Sequence, residues 1–344
     1  MILCQRPLNG VLSKPNYNND YIAPKFRDHL MPARKLFYTL PFSNTLYKYV
    51  LEQVIGLQGM INYVDARTSW MDDIVKQAQW QGVAQVVVIA AGYCTRAYRL
   101  KEGNTQFYEV DMPKVSQKKI DLVKAVIPDK DKYPRPIYVG ADLASTLLAE
   151  ALTSKGFDPS RRTLFTCEGI FCYLPQAAVD GLLKQISALA APGSRLCFDA
   201  MHKPYMDGRV RYRGYSCGSV ALKARGEPLL SGFETTSEGI NAQFTPLQWQ
   251  LTELLSPKDM IEKRFKHLKW REKRPPILPF NSYVLLEKLE PKFETQATPA
   301  LAASATKTAA EQACPTAQAT PAGVVELLET ATVQDFFYTT IVPP

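Results

Sequence analysis

The chain has 344 residues, 46% hydrophobic and 22% charged, a balance that suits a soluble fold with a large buried core. Its formal net charge is +8, yet Lys and Arg are scattered rather than gathered in one block. That scatter argues against a nucleic-acid groove and suits an acidic small molecule, and the lack of any apolar run of about eighteen residues excludes a helical membrane span.

Residues 1–20, MILCQRPLNGVLSKPNYNND, lack the long apolar run of a secretory signal. No acid precedes Asp20, which leaves room for an organellar transit segment; otherwise a cytoplasmic location is expected. Residues 1–80 read as a helical cap, with amphipathic pieces at 46–57 and 70–79. From about 85 to 200, short apolar strands alternate with helix-period segments. Strands are expected at 85–91, 106–110, 136–140, 163–167 and 194–199. The helix expected at 113–127 carries Val115, Leu122, Val123, Val126 and Ile127 on one face. A second, at 177–190, does the same with Val179, Leu182, Leu183, Ile186 and Leu189 before Pro192-Gly193 stops it. Single helices between strands predict an α/β fold with a mostly parallel sheet.

Residues 202–280 are rich in Tyr, Arg and Trp and read as an acceptor-side insertion over the sheet's carboxyl edge. A last strand, antiparallel, is expected at 282–289 and closes a domain of residues 1–292. Residues 293–323 are an Ala/Thr/Pro mixture expected to be disordered. Residues 324–344 form an apolar C-terminal segment that suits either a docked helix or a partner-binding peptide. The seven cysteines mostly sit in apolar runs without CxxC spacing, and only three histidines are present, so reduced thiols and no metal site are expected.

Ligands of open α/β sheets lie beyond the carboxyl ends of the strands, so the residues just after each strand matter most. They are Gly92, Asp111 (with Glu109 one alternation earlier), Asp142, Glu168 and Asp199. Gly92 permits close backbone approach, Asp111 suits ribose hydroxyls, and Asp142 suits the exocyclic amine of adenine. Several carboxylates on one edge would repel a pyrophosphate but suit a cationic nucleoside. NAD also calls for more glycines and a helix N-terminus facing its phosphates. Charge therefore favours S-adenosyl-L-methionine. His202 and Tyr205 follow the fifth strand, where a base or phenol for an oxygen acceptor would sit; a loop histidine without catalytic role fits the same position.

ARTSWMDD (66–73), IAAGYCTRAYRL (89–100), FYEVDMPKV (107–115), ADL (141–143), GFDPSRRTLFTCEGIFCYLP (156–175) and PGSRLCFD (192–199) together resemble the leucine carboxyl methyltransferase-related family. The resemblance covers about residues 60–200, and more loosely on to about 290. It implies a class I, Rossmann-like methyltransferase fold with a seven-stranded sheet and S-adenosyl-L-methionine as cofactor. It also implies that Arg67 pairs with the cofactor's carboxylate and that Ala90 and Gly92 line its methionine part. Asp111 would take the ribose, Asp142 and the Leu143 amide the adenine, and Glu168 the amino or sulfonium side. Two positions depart from the family pattern: Ala90 stands for a glycine and Cys94 for an aspartate. The implied activity is O-methylation of a carboxylate, phenol or hydroxyl on a small molecule. The alternatives are methylation of a protein C-terminal carboxylate and a catalytically inactive scaffold; an NAD(P)-dependent oxidoreductase would need a GxGxxG turn that is missing.

Overall fold

In the computed structural model, seven segments pair into one sheet: Gln85–Ile89 (β1), Gln106–Asp111 (β2), Ile137–Gly140 (β3), Thr163–Cys167 (β4), Arg195–Met201 (β5), Trp249–Leu255 (β6) and Asn281–Lys288 (β7). Their spatial order is β3-β2-β1-β4-β5-β7-β6. β1 to β5 pair in parallel, and β7 runs antiparallel to both β5 and β6. This is the mostly parallel α/β sheet with an antiparallel last strand that the pattern and the resemblance predict.

The structure describes residues 19–32, 46, 49, 58–212, 215, 228–271 and 275–290. The chain divides into two units, Met1–Glu290 and Pro291–Pro344. The second lies wholly outside the described residues, and with it the expected C-terminal segment and the linker. So do residues 1–18 and nearly all of the helix expected at 46–57.

β1 is buried at every position, QVVVI, because both faces of the sheet are covered. On one face Val86, Val88, Leu164, Cys197 and Tyr283 pack against the helix Met60–Trp80 (α2), together with Met260 and Ile261 of a later helix. On the other, Val87, Ile89, Phe165 and Phe198 meet Leu148, Ala151 and Leu152 of one helix and Val179, Leu183 and Ile186 of another. The latter is Gln176–Leu189, whose buried stripe includes each of the five apolar residues expected there. An N-terminal helix, Ala23–Leu30 (α1), packs Ile22 and Phe26 against Tyr98, Leu122 and Val123. Asp20 caps its entry by accepting from the Ala23 amide at 3.0 Å.

Two expectations need correction. The region 202–280 is not all insertion, since Trp249–Leu255 is the edge strand β6. A bulge between Leu251 and Glu253 breaks its inward–outward alternation, which hid the strand from a period-2 reading. The helix Pro113–Val126 (α3) also buries a lysine among its apolar residues: Ser116, Lys119, Leu122 and Val123 face inward. Lys119 meets Glu109 of β2 at 2.7 Å, both side chains being 2% exposed. Glu109 is therefore spent on an internal ion pair rather than on the cleft. Burial raises its pKa, and Lys119 opposes that rise.

Removing one partner of such a pair strands a charge in the interior. Lys119→Met is expected to lower stability by about 3–5 kcal/mol, whereas Lys119→Met combined with Glu109→Leu should cost much less. Denaturant titration of the two variants checks both values.

Candidate active site

The chain steps outward from β1 to β2 and β3, then returns to place β4 on β1's other side, so the strand order reverses at β1. A crevice opens at the carboxyl ends of the strands at such a point. The register brings Ile89 opposite Val110 and Cys167, and Asp111 opposite Gly140. Along the edge the sequence candidates therefore run Asp142 and Leu143, Asp111, Ala90 to Gly92, Glu168 and Asp199.

The turn after β1 is bent by two successive departures from extended backbone. Ala90 has φ 52° and Gly92 φ 45°. The Gly92 amide donates to Asp111 Oδ2 at 2.6 Å, and the Met112 amide donates to Oδ1 at 2.8 Å. Asp111 thus ties the ends of β1 and β2 together while staying half-buried at the cleft. Burial raises its pKa, and the two amides hold that rise back. Further along, Asp142 is exposed and accepts from the Ala144 amide at 3.0 Å, and Leu143 beside it is half-buried.

On the β4 side, α2 supplies Tyr63, Arg67 and Asp72 from one helix. Arg67 donates through Nε to Glu168 Oε1 at 3.2 Å. Its Nη1 donates to Asp199 Oδ2 at 3.1 Å and to the Tyr63 hydroxyl at 2.9 Å. Among the described residues, Nη2 makes no hydrogen bond. The Tyr63 hydroxyl in turn donates to Asp199 Oδ2 at 2.6 Å. Asp199 Oδ1 takes the Gly169 amide at 2.7 Å. Gly169 has φ 65°, and a Cβ there would lie 2.9 Å from Arg67 Nη1. Only glycine allows the guanidinium to lie so close to this turn.

A second arginine, Arg96, stands directly after the β1 turn and is fully buried. It donates to Glu168 Oε2, to Asp72 Oδ1 at 2.7 Å, to the Thr68 carbonyl at 3.3 Å and to Cys94 Sγ at 3.5 Å. Arg99 grips Asp72 through Nη1 at 2.6 Å and Nη2 at 2.8 Å, and approaches Asp20 at 3.6 Å. Acidic partners hold all three arginines in the charged form despite burial, which alone would lower their pKa values.

Beyond β5, His202 Nε2 shares a hydrogen bond with Ser282 Oγ at 2.9 Å. Burial lowers its pKa from 6.5 to about 4. Tyr205 stacks on Phe280, ring centroids 4.1 Å apart, with Tyr212 and Tyr215 around the same phenylalanine. Cys94, Cys167 and Cys197 are buried, and burial raises the thiols of Cys167 and Cys197, so neither of those two is an activated nucleophile. Among the described residues no cluster of His, Cys, Asp or Glu is arranged for a metal, and no helix is long and apolar enough to cross a membrane.

Sequence reading placed Arg67 and Glu168 on the cleft but missed that they form one ion-pair cluster with Arg96, Asp72 and Tyr63. The available signal was spacing. Asp72 stands five residues after Arg67, and Arg96 and Arg99 lie three apart just past the turn.

Residues 10–187 match the leucine carboxyl methyltransferase family. The chain belongs to that family. A protein of Mycobacterium avium (strain 104) is 34% identical over 201 residues, covering 54% of this chain and 65% of its own length. One of Mycolicibacterium vanbaalenii is 38% identical over 226 residues, covering 61% of this chain and 69% of its own. Both bear the name "Putative S-adenosyl-L-methionine-dependent methyltransferase". A solved DUF574 family protein of Streptomyces avermitilis aligns over 83% of this chain and 97% of its own at 15% identity, with a TM-score of 0.49.

Ala90, which the resemblance sets against a glycine, has a left-handed φ. Relieving that conformation should gain about 1–2 kcal/mol, against about 0.5–1 kcal/mol lost to glycine's greater freedom when unfolded. Ala90→Gly is therefore expected to stabilise the fold by roughly 0.5–1 kcal/mol in denaturant titration; a net loss would show that Ala90 is not strained.

Proposed function

We propose that this chain transfers a methyl group from S-adenosyl-L-methionine to an oxygen of a small-molecule acceptor, with a carboxylate as the acceptor class. The observation that carries the reading is the pairing of Arg67 with Glu168 next to the Asp111–Gly92 tie at the strand-order reversal, in a chain of this family.

The donor set fits the cofactor. Among the described residues, Arg67 Nη2 is the guanidinium nitrogen without a hydrogen bond, and it suits a carboxylate. Each Asp111 oxygen takes one backbone amide and retains capacity for a ribose hydroxyl. Asp142 and the Leu143 amide, at the end of β3, suit adenine, and Glu168 suits a cationic group. The ion pairs linking Asp20, Arg99, Asp72, Arg96, Glu168, Arg67 and Asp199 contain four carboxylates and three guanidiniums, a net negative charge that favours a cationic ligand. The cofactor supplies, when bound, a methyl group on a positively charged sulfur. The protein's own part is to hold the two reactants in line and keep water out.

His202 favours a carboxylate over an alcohol. Held near 4, it is neutral at physiological pH but too weak a base to deprotonate a hydroxyl efficiently. A carboxylate is already ionised and needs no proton removed. Tyr205, stacked on Phe280, would then wall the acceptor side rather than act as a base.

Calorimetric titration with S-adenosyl-L-methionine and its demethylated product tests the reading. Wild type should bind both, and Asp111→Ala should weaken both about ten- to a hundredfold, the worth of charge-assisted hydrogen bonds. Absence of binding by the intact chain would leave an inactive scaffold in its place. For the acceptor, with the cofactor saturating and its amino group held charged against Glu168, kcat/KM should be flat between about pH 6 and 9, because neither the carboxylate nor His202 titrates there. A rise across that window would point to an acceptor hydroxyl that must lose its proton.

A further inference from the structure

We propose that Arg96 is a positioning residue for Glu168: with Arg67 it fixes the carboxylate, one guanidinium on each oxygen, to receive the ligand's amino group. The inference rests on the reading of the cleft as an S-adenosyl-L-methionine site.

Arg96 has no exposed surface, so it does not itself touch a ligand in the cleft. Its donors are committed to fixed partners. Nε is on Asp72, Nη2 on the Thr68 carbonyl of α2, and Nη1 on both Cys94 Sγ and Glu168 Oε2. Asp72 cannot drift either, because Arg99 holds it through two nitrogens. Arg67 is anchored in the same way by Asp199 and Tyr63. Of the three side chains in the Arg67–Glu168–Arg96 sandwich, Glu168 is the most open, at 9% against 3% for Arg67 and none for Arg96. Its backbone is pinned as well, through the Gly169 amide on Asp199.

Two fixed arginines on a half-buried glutamate do more than neutralise it. A single ion pair would leave the carboxylate free to rotate about its last torsion, which is broad for glutamate. Binding Oε1 from α2 and Oε2 from the turn after β1 sets the plane of the group. Each carboxylate oxygen can accept more than one hydrogen bond, so one guanidinium on each oxygen orients the acceptors. An ammonium group, with several donors on one centre, is the ligand group that uses such a fixed acceptor pair.

The test compares three ligands on the full chain. S-adenosyl-L-methionine carries a sulfonium and an amino group. S-adenosyl-L-homocysteine carries the amino group without the sulfonium, and its deaminated analogue, 4-(5′-adenosylthio)butanoate, has neither but keeps the carboxylate, adenine, ribose and sulfur. Calorimetric titration of Arg96→Gln should show the first two weakened about ten- to a hundredfold and the third within about twofold of wild type. Equal weakening of all three would mean that Arg96 only shapes the fold, and no change would mean that Arg67 orients Glu168 alone. A loss confined to the sulfonium compound would assign Glu168 to the sulfur. Each of these overturns the inference and leaves the cofactor reading standing, whereas wild type binding none of the three would remove both. Thermal melting establishes that Arg96→Gln is folded. If it is not, Arg96→Lys takes its place, and the same selective pattern at smaller amplitude is required.

Discussion

Glu168, held between Arg67 and Arg96, is the point through which the rest of the site is organised. Taking ions out of water costs several kcal/mol each, so a buried chain of carboxylates and guanidiniums persists only if nearly every donor and acceptor is met. Here they are met by alternation. Asp72 binds Arg96 and Arg99, Glu168 binds Arg96 and Arg67, and Asp199 binds Arg67 and the Tyr63 hydroxyl. The chain of ion pairs crosses α2, the turn after β1 and the ends of β4 and β5. It fixes those four elements relative to one another at the edge where a ligand would bind, and hydrophobic contact, being non-directional, would not set that geometry.

The other half of the site depends on a single carboxylate held by backbone amides. Asp111 receives one amide from the β1 turn and one from its own strand end, so the two strands are locked at the position where the backbone reverses. Ala90 pays in backbone strain for the same bend. A glycine would adopt that φ freely, and so the departure from the family pattern is a cost to stability located inside the site rather than a change in its polar groups. Cys94 is a milder departure. Its thiol meets Arg96 Nη1, where an aspartate would compete with Glu168 for the same nitrogen. With cysteine there, the stronger of Nη1's two bonds goes to Glu168, because thiols are weak acceptors.

Much of this was legible in the sequence, for identifiable reasons. Gln85–Ile89 and Thr163–Cys167 are short apolar runs bounded by turn residues, and Gln176–Leu189 keeps a clear helical stripe. Candidate ligand contacts could be read because a parallel sheet puts each strand's successor residue on one edge. What could not be read depends on partners far apart in the chain. Lys119 sits on the buried stripe of its helix only because Glu109 waits across the interface. β6 was hidden by its bulge. Arg96 received no role from the sequence, since nothing local shows that its partners Asp72 and Glu168 lie 24 and 72 residues away.

The acceptor side follows a different logic from the cofactor side. Around Phe280 the contacts are rings: Tyr205 lies parallel at 4.1 Å, and Tyr215 meets it edge-on at 5.2 Å. His202 beside them is kept neutral by burial and tied to Ser282. The ion pairs are gathered on α2, β4 and the β1 turn, and the base nearest the aromatic wall is too weak to take a proton from an alcohol at neutral pH. The two sides are thus matched to different tasks. One is built of fixed charges, and the other of stacked rings that would suit an apolar body. Under the proposed methyl transfer, a carboxylate on an apolar carrier would suit such a wall because it needs no proton removed, whereas an un-ionised alcohol would need a base that His202 does not supply.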